Sequence, residues 1–570
     1  MSLFEYYADI IKKCVPVEFS SFVSVDPPKD NSFGDFSTNI AMVLVKKMGK
    51  SPVDIANDVV NQLNNNENFE NLSVKKPAFI NWNVPQKLLM KFVPQILDRD
   101  FGKVNVGQGK SINIEYVSAN PTGPIHAGHM RCAVSGDVLS SLLAFAGYNV
   151  TKEFYINDAG KQIEILARSL HHRYLELFDK VSGKFPSWGY PGAYLIETAQ
   201  KMKEQYGDQF VSLSDEKDWI EIFKDFAIDD MLREIRSDLD LLGVHHDVFT
   251  SERELVRAGM VDHTIKTLTD DGLIYRGVLP RPKSADAEDW EPHEQLLFKS
   301  TAYGDDVDRP LQKSDGSWTY FASDIAYHMN KIERDFDEMV DIWGADHGGY
   351  VKRLQAAVDA LSHGKKSLQT KLIQLVRLME DGKEVRMSKR AGTFVTAREI
   401  VERVGKDVVR FMMLTRKDDA TLDFDFNKVV DETRENPVFY VQYASARAHS
   451  VLRQFENVFK CEIPKIENIN LFLLDSAPEQ KLLKTLLDWP RQVFMAARSR
   501  EPHRIIFYLL DVAADFHALW NLGKENAILR FVLPDDFDRT CAHMVLIKAT
   551  INVIKIALNI VGIQAIEEMR

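Results

Sequence analysis

Two histidines three residues apart, His126 and His129, stand with Gly128 at the end of the run Ser118-Ala119-Asn120-Pro121-Thr122-Gly123-Pro124-Ile125-His126-Ala127-Gly128-His129. A pair of imidazoles at the start of a helix can meet phosphate oxygens, and a glycine between them lets a flat ring approach the backbone. A second group lies far downstream, where Arg386, Met387, Ser388 and Lys389 precede Arg390 and Gly392 in a compact basic loop. Three cations so close together suit charge neutralisation on a leaving pyrophosphate. A third group, Gly344-Ala345-Asp346-His347, ends an apolar run. Asp346 there could hold ribose hydroxyls at the carboxyl edge of a parallel sheet, or cap the next helix. Taken singly, an HxGH is also compatible with a solvated helix face or half of a metal site.

The elements that must position these groups are legible. Ile112, Ile114 and Tyr116 alternate with Asn113, Glu115 and Val117, which predicts a strand over 111–117. Pro121, Gly123 and Pro124 then break the backbone, and Met130 to Phe145 carries a helical apolar face. The histidines therefore sit where a strand delivers the chain into a helix N-terminus, a ready anion site. Further strands are expected at 152–156, 318–321, 339–343 and 372–380, with mostly helix over 160–275. Residues 1–105 read as a small α/β domain, with helices over 37–47 and 52–63 and a strand over 78–83. Beyond about 425 the chain is helical, with segments ending near 459 and spanning 479–500, 505–523 and 543–561.

The expected fold class is thus α/β: a Rossmann-type parallel-sheet catalytic domain at 106–430 with a helical insertion (about 160–275) and a basic loop at 385–393. The small N-terminal α/β domain precedes it, and an all-α helical bundle at 431–570 follows. Composition agrees with a globular protein: 570 residues, 45% hydrophobic and 27% charged. A net charge of −12 argues against non-specific nucleic-acid binding. Residues 437–570 nevertheless hold 16 Lys+Arg against 15 Asp+Glu, leaving room for a folded RNA gripped at local patches. The four cysteines are scattered, with no CxxC pair, which speaks against a zinc site of that type and for a reducing compartment. With no basic, apolar leader and no uncharged apolar run approaching about 20 residues, the cytoplasm is the expected location and no membrane is expected.

Together, His126-Ala127-Gly128-His129 and Met387-Ser388-Lys389-Arg390 resemble the HIGH and KMSKS signatures of class I aminoacyl-tRNA synthetases. Gly34 to Asn39, Asn157 to Gly160, Trp343 to Gly348 and the run 386–426 resemble bacterial arginyl-tRNA synthetases, and the resemblance covers essentially the whole chain. It implies ATP with Mg2+, L-arginine and tRNA(Arg) as partners, a monomer, no metal fixed by the protein, and tRNA needed for the activation step. His126, His129 and Lys389 become the catalytic residues. ATP is assigned to His126, Gly128, His129, Asp346, Arg386, Met387, Ser388 and Lys389. Arg386 stands where the pattern often has its first lysine; charge is kept, and no loss of activity is expected. Glu115, Asn120, Tyr320, Asp324 and His347 become the arginine pocket, and Phe79 and Asn81 contacts to the tRNA, with a DALR-type anticodon domain at the C-terminus. A cysteinyl-type relative would need a zinc cluster, and a nucleotidylyltransferase would leave the helical bundle unexplained.

Overall fold

The computed structural model describes residues 2–279, 293–385, 395–431 and 436–569. It divides into two compact units, Asn105–Glu432 with Arg500–His503, and Met1–Val104 with Thr433–Ser499 and Arg504–Arg570.

The first unit is built on five parallel strands: β1 (Ser111–Tyr116), β2 (Asn149–Ile156), β3 (Val248–Ser251), β4 (Glu338–Gly344) and β5 (Ser367–Ile373). Their order is β5-β4-β1-β2-β3. The winding reverses between β1 and β4, and open α/β sheets bind ligands beyond the carboxyl ends of strands at such a point. Both faces of β1 are covered. Asn113, Glu115, Glu153 and Asp341 are buried with their apolar neighbours and are hydrogen-bonded to one another or to cations.

Three helices bring side chains to the reversal point: α1 (Ala127–Phe145), α2 (Glu252–Arg257) and α3 (Tyr320–Glu333). The start of α3 corrects the sequence reading of a strand over 318–321. Trp, Thr, Tyr and Phe favour strands, but the Thr319 hydroxyl accepts from Ala322 N–H and caps a helix there. The strand expected over 372–380 is two pieces, since the chain leaves β5 at Ile373 and re-enters a separate three-stranded sheet at Val376–Glu380. The helical stretch over 160–275 is also interrupted. Helices Lys161–Glu176, Tyr194–Tyr206 and Ile220–Leu241 share a core of Tyr174, Met202, Phe210 and Phe223, and then β3 returns to the main sheet.

The second unit joins the two chain ends. Residues 1–104 fold as a three-stranded antiparallel sheet with flanking helices, and C-terminal helices pack directly on them. Trp489 Nε1 donates to Phe101 O at 3.1 Å, and Lys484 pairs with Asp35 at 2.7 Å. Asp35 also accepts from Val84 N–H, while Gly34, at φ +125°, leaves no room for a Cβ, which would lie 2.6 Å from Trp82 O. The helices Trp489–Ser499 and Ala477–Leu487 replace the single helix expected over 479–500. Two helices, His503–Glu525 and Phe537–Val561, are long and apolar enough to cross a membrane by length and composition. Charged residues interrupt both, and 50% and 72% of their apolar windows are buried inside the protein.

Candidate active site

A cavity of about 710 Å³ opens at the carboxyl ends of β1 and β4, and the two ends of its lining differ in chemistry. At one end is the start of α1. His126 is the helix N-cap. Its Nδ1 accepts from Gly128 N–H at 3.2 Å, and His129 Nδ1 accepts from His126 N–H at 3.4 Å. With both Nδ1 atoms acting as acceptors, the ring protons sit on Nε2, so both rings are Nε2–H donors. The rings stack with centroids 3.8 Å apart. A Cβ on Gly128 would meet the His126 ring at 3.2 Å, so the glycine accommodates the histidine itself.

Arg386, Met387, Ser388 and Lys389 lie outside the described residues. The flanks of their loop are described. Val385 N–H donates to Leu378 O, and on the far side Thr396 bridges His126 while Ala397 N–H donates to Ile125 O at 2.8 Å. Thr396 and Ala397 therefore lie against the histidine loop. Arg131, fully buried in α1, fixes the same neighbourhood by donating to the carbonyls of Gln374, Lys417 and Ala420 at 2.7–2.9 Å. Cys132 lines the cavity, but burial pushes its thiol up to about 12, which makes it a packing residue.

At the other end are carboxylates. Asp324 on α3 accepts a 2.5 Å hydrogen bond from Tyr350 Oη. Burial lifts its carboxyl to about 7; Tyr350 and His328 pull it down, while Glu252 and Glu115 push it further up. Glu252, the first residue of α2, is 5% exposed, lines the same cavity and has no hydrogen-bond partner on Oε2 among the described residues. Burial raises its pKa as well, opposed by Ser323. Tyr155 and Tyr327 stack at 4.2 Å in the wall, and neither hydroxyl is bonded among the described residues. Such orphaned groups in a cavity call for a polar guest.

Glu115 departs from expectation. Its Oε2 is 2.7 Å from Lys331 Nζ, and its Oε1 accepts from Ser118 Oγ at 2.9 Å. Its first partner is therefore an internal ammonium, because Lys331 faces it from α3. Glu115, His328 and Asp341 offer ligand atoms within 4.8 Å of one another, the spacing of a metal site. Lys331 Nζ stands there instead, 2.9 Å from Asp341 Oδ1. The turn that carries Ser118 is strained, with Val117 at φ +70° and Ser118 at φ +38°.

The remaining expected residues fall into place less deeply. Asn120 is exposed at the mouth. Tyr320 is 51% exposed and shares one face of α3 with Asp324. Asp346 and His347 are exposed at the end of β4, 3.5 Å apart, so His347 belongs to the lip rather than the buried end. In the other unit, Phe79 is half-buried, whereas Asn81 is 1% exposed with its amide donating to Phe79 O. Asn81 thus supports the strand instead of offering an edge to a base. The sequence reading missed Glu252, His328, Lys331 and Tyr350. One signal existed: Tyr320, Asp324, His328 and Lys331 recur at helical spacing as a polar stripe.

Comparison with known proteins joins these observations. Residues 4–84 match the arginyl tRNA synthetase N terminal domain, 92–448 the catalytic domain of class I (R) tRNA synthetases, and 441–569 the DALR anticodon binding domain. An arginine–tRNA ligase of Ruegeria pomeroyi is 50% identical over 551 residues, 96% of this chain and 94% of its own. One from Roseobacter denitrificans is 48% identical over 583 residues, spanning both chains entirely. The solved arginyl-tRNA synthetase of Thermus thermophilus shares the fold, with a TM-score of 0.75 at 20% identity and full coverage of both chains. With whole-length relatives near half identity, and a phosphate-type helix start facing buried carboxylates in one cavity, the chain belongs to the arginine–tRNA ligase family of class I aminoacyl-tRNA synthetases.

Proposed function

We propose that this enzyme activates L-arginine with ATP and transfers it to tRNA(Arg). An oxygen of the arginine carboxylate attacks the α-phosphorus and pyrophosphate leaves. The 2′-hydroxyl of the terminal adenosine then attacks the acyl carbon and AMP leaves. The observation that carries this reading is the pairing, in one cavity, of two Nε2–H histidines at a helix start with the carboxylates of half-buried Asp324 and buried Glu252.

His126 and His129 donate to the phosphates as charge builds, and Lys389, with Arg386 and Ser388, neutralises the leaving pyrophosphate. Asp346 holds the ribose. Asp324 accepts from the planar guanidinium, with Glu252 as a second acceptor; Tyr320 closes the mouth and Asn120 meets the α-amino group. Lys331 fills the one three-ligand cluster found among the described residues, which supports magnesium arriving with the triphosphate rather than on a protein site. Phe79 stacks on a base of the tRNA, and the C-terminal helices take the anticodon. The four free cysteines agree with a reducing compartment, and the enzyme works as a monomer in the cytoplasm, as its family resemblance implies.

The test is ATP–pyrophosphate exchange with each amino acid, with and without tRNA(Arg). Exchange is expected with arginine alone, and only when tRNA is present. Exchange driven by cysteine, or none with arginine plus tRNA, overturns the reading.

A further inference from the structure

Lys331 is fully buried on α3, and no step of the proposed reaction uses it. Its Nζ lies 2.7 Å from Glu115 Oε2 and 2.9 Å from Asp341 Oδ1, over the ring of Tyr327 at 4.4 Å. Asp341 is bonded on its other oxygen by His328 Nε2 at 2.9 Å, and His328 Nδ1 faces Asp324 O. A bonded chain thus runs from Glu115 through Lys331, Asp341 and His328 to the backbone of Asp324. Four carboxylates line this cavity, the buried Glu115, Asp341 and Glu252 and the half-buried Asp324, yet the substrate side chain brings one positive charge.

We propose that Lys331 is a positioning residue for the amino-acid substrate: its ammonium engages Glu115 and Asp341 internally, so that Asp324 and Glu252 alone are left to receive a guanidinium. This inference rests on the arginine-activating function proposed above. Without Lys331, Glu115 would be an unpaired buried carboxylate in the pocket and would compete for the guest or take up a proton. Burial works against the ammonium, but Asp341 and Glu115 outweigh it and hold Lys331 charged. Tyr155 N–H donates to Ser118 Oγ at 3.1 Å and Ser118 in turn bonds Glu115, so Lys331 and the strained turn fix one carboxylate from both sides.

Kinetics of tRNA-dependent exchange test this. Lys331→Met is expected to raise the arginine KM about thirtyfold or more, with the ATP KM within about twofold, as for loss of one member of a buried charge pair. Adding Glu115→Gln removes the charge left behind and should recover at least half of that loss on a logarithmic scale. Equal changes in both KM values, or additive losses in the double variant, overturn the proposal. If Lys331→Met does not fold, Glu115→Gln alone decides: an arginine KM raised about tenfold with the ATP KM unmoved supports it, and an unchanged arginine KM overturns it. Absence of exchange by the unmodified enzyme overturns the functional reading itself; normal exchange by that enzyme with an unaffected Lys331→Met overturns this inference alone.

Discussion

The two ends of the cavity are built in opposite ways. The phosphate end is local: a strand, a Pro/Gly loop and a helix start within residues 111–145 place His126 and His129, and backbone N–H groups fix both tautomers. The amino-acid end is assembled from Glu115, Glu252, Asp324, Lys331, Asp341 and Tyr350, contributed by two strands, two helices and the turn after β4. In the proposed reaction the local end meets a substrate common to many enzymes, which needs only donors and cations. The distributed end must tell one side chain from others, which takes a buried charge set in a defined protonation state.

The largest expected effect breaks the distributed end. Asp324→Asn removes the carboxylate but keeps its shape, and kcat/KM for arginine in tRNA-dependent exchange should fall about 10²–10³-fold, as when one partner of a buried charge pair is lost. The KM for ATP should move far less. Lys389→Ala strikes the other end and is expected to lower the activation rate by about 10²-fold with arginine binding little changed. If that variant loses only tRNA binding, the role given to the basic loop is wrong. His129→Ala should cost about 10-fold to 10²-fold in activation, since one donor to the developing charge is lost while His126 remains.

The smallest effect sharpens the comparison through pH. Burial holds the Asp324 carboxyl at about 7, so it is partly protonated at neutral pH. A guanidinium needs the ionised form. Arginine affinity should therefore hold above pH 7 and fall about tenfold per unit below it, with a proton released on binding. Tyr350 lowers this pKa by donating to the carboxylate, so Tyr350→Phe should move the midpoint to higher pH. Calorimetry in buffers of different ionisation enthalpy reads the released proton, and a pH-independent affinity would remove Asp324 as the primary acceptor.

The same contrast explains what could be read from the chain alone. The strand, loop and helix around His126 were legible because their signals are short-range: alternation, proline and glycine breaks, an apolar helical face. The start of α3 was not, because β-favouring Trp318, Tyr320 and Phe321 outweigh a single Thr319 cap in propensity, while packing decides for helix. Lys331 reads as an ordinary helix-surface lysine until Glu115, 216 positions earlier, is brought beside it. Glu252 reads as an acidic first-turn residue, and only the pairing of β3 with β2 turns that first turn inward. Likewise, the sequence separates 1–104 from the C-terminal helices, and contacts such as Lys484 with Asp35 exist only after folding.

The central claim is that a set of buried carboxylates selects a planar cation. Citrulline has arginine's shape without its charge, so the most direct measurement is the ratio of kcat/KM for arginine to that for citrulline in tRNA-dependent exchange, in the unmodified enzyme and in Asp324→Asn. The unmodified enzyme should discriminate by about 10⁴-fold, as sites built around buried polar partners do. In Asp324→Asn the ratio should fall about 10²–10³-fold as arginine activity falls. An unmodified enzyme that accepts both equally, or a variant that keeps its full preference for arginine, would contradict the account.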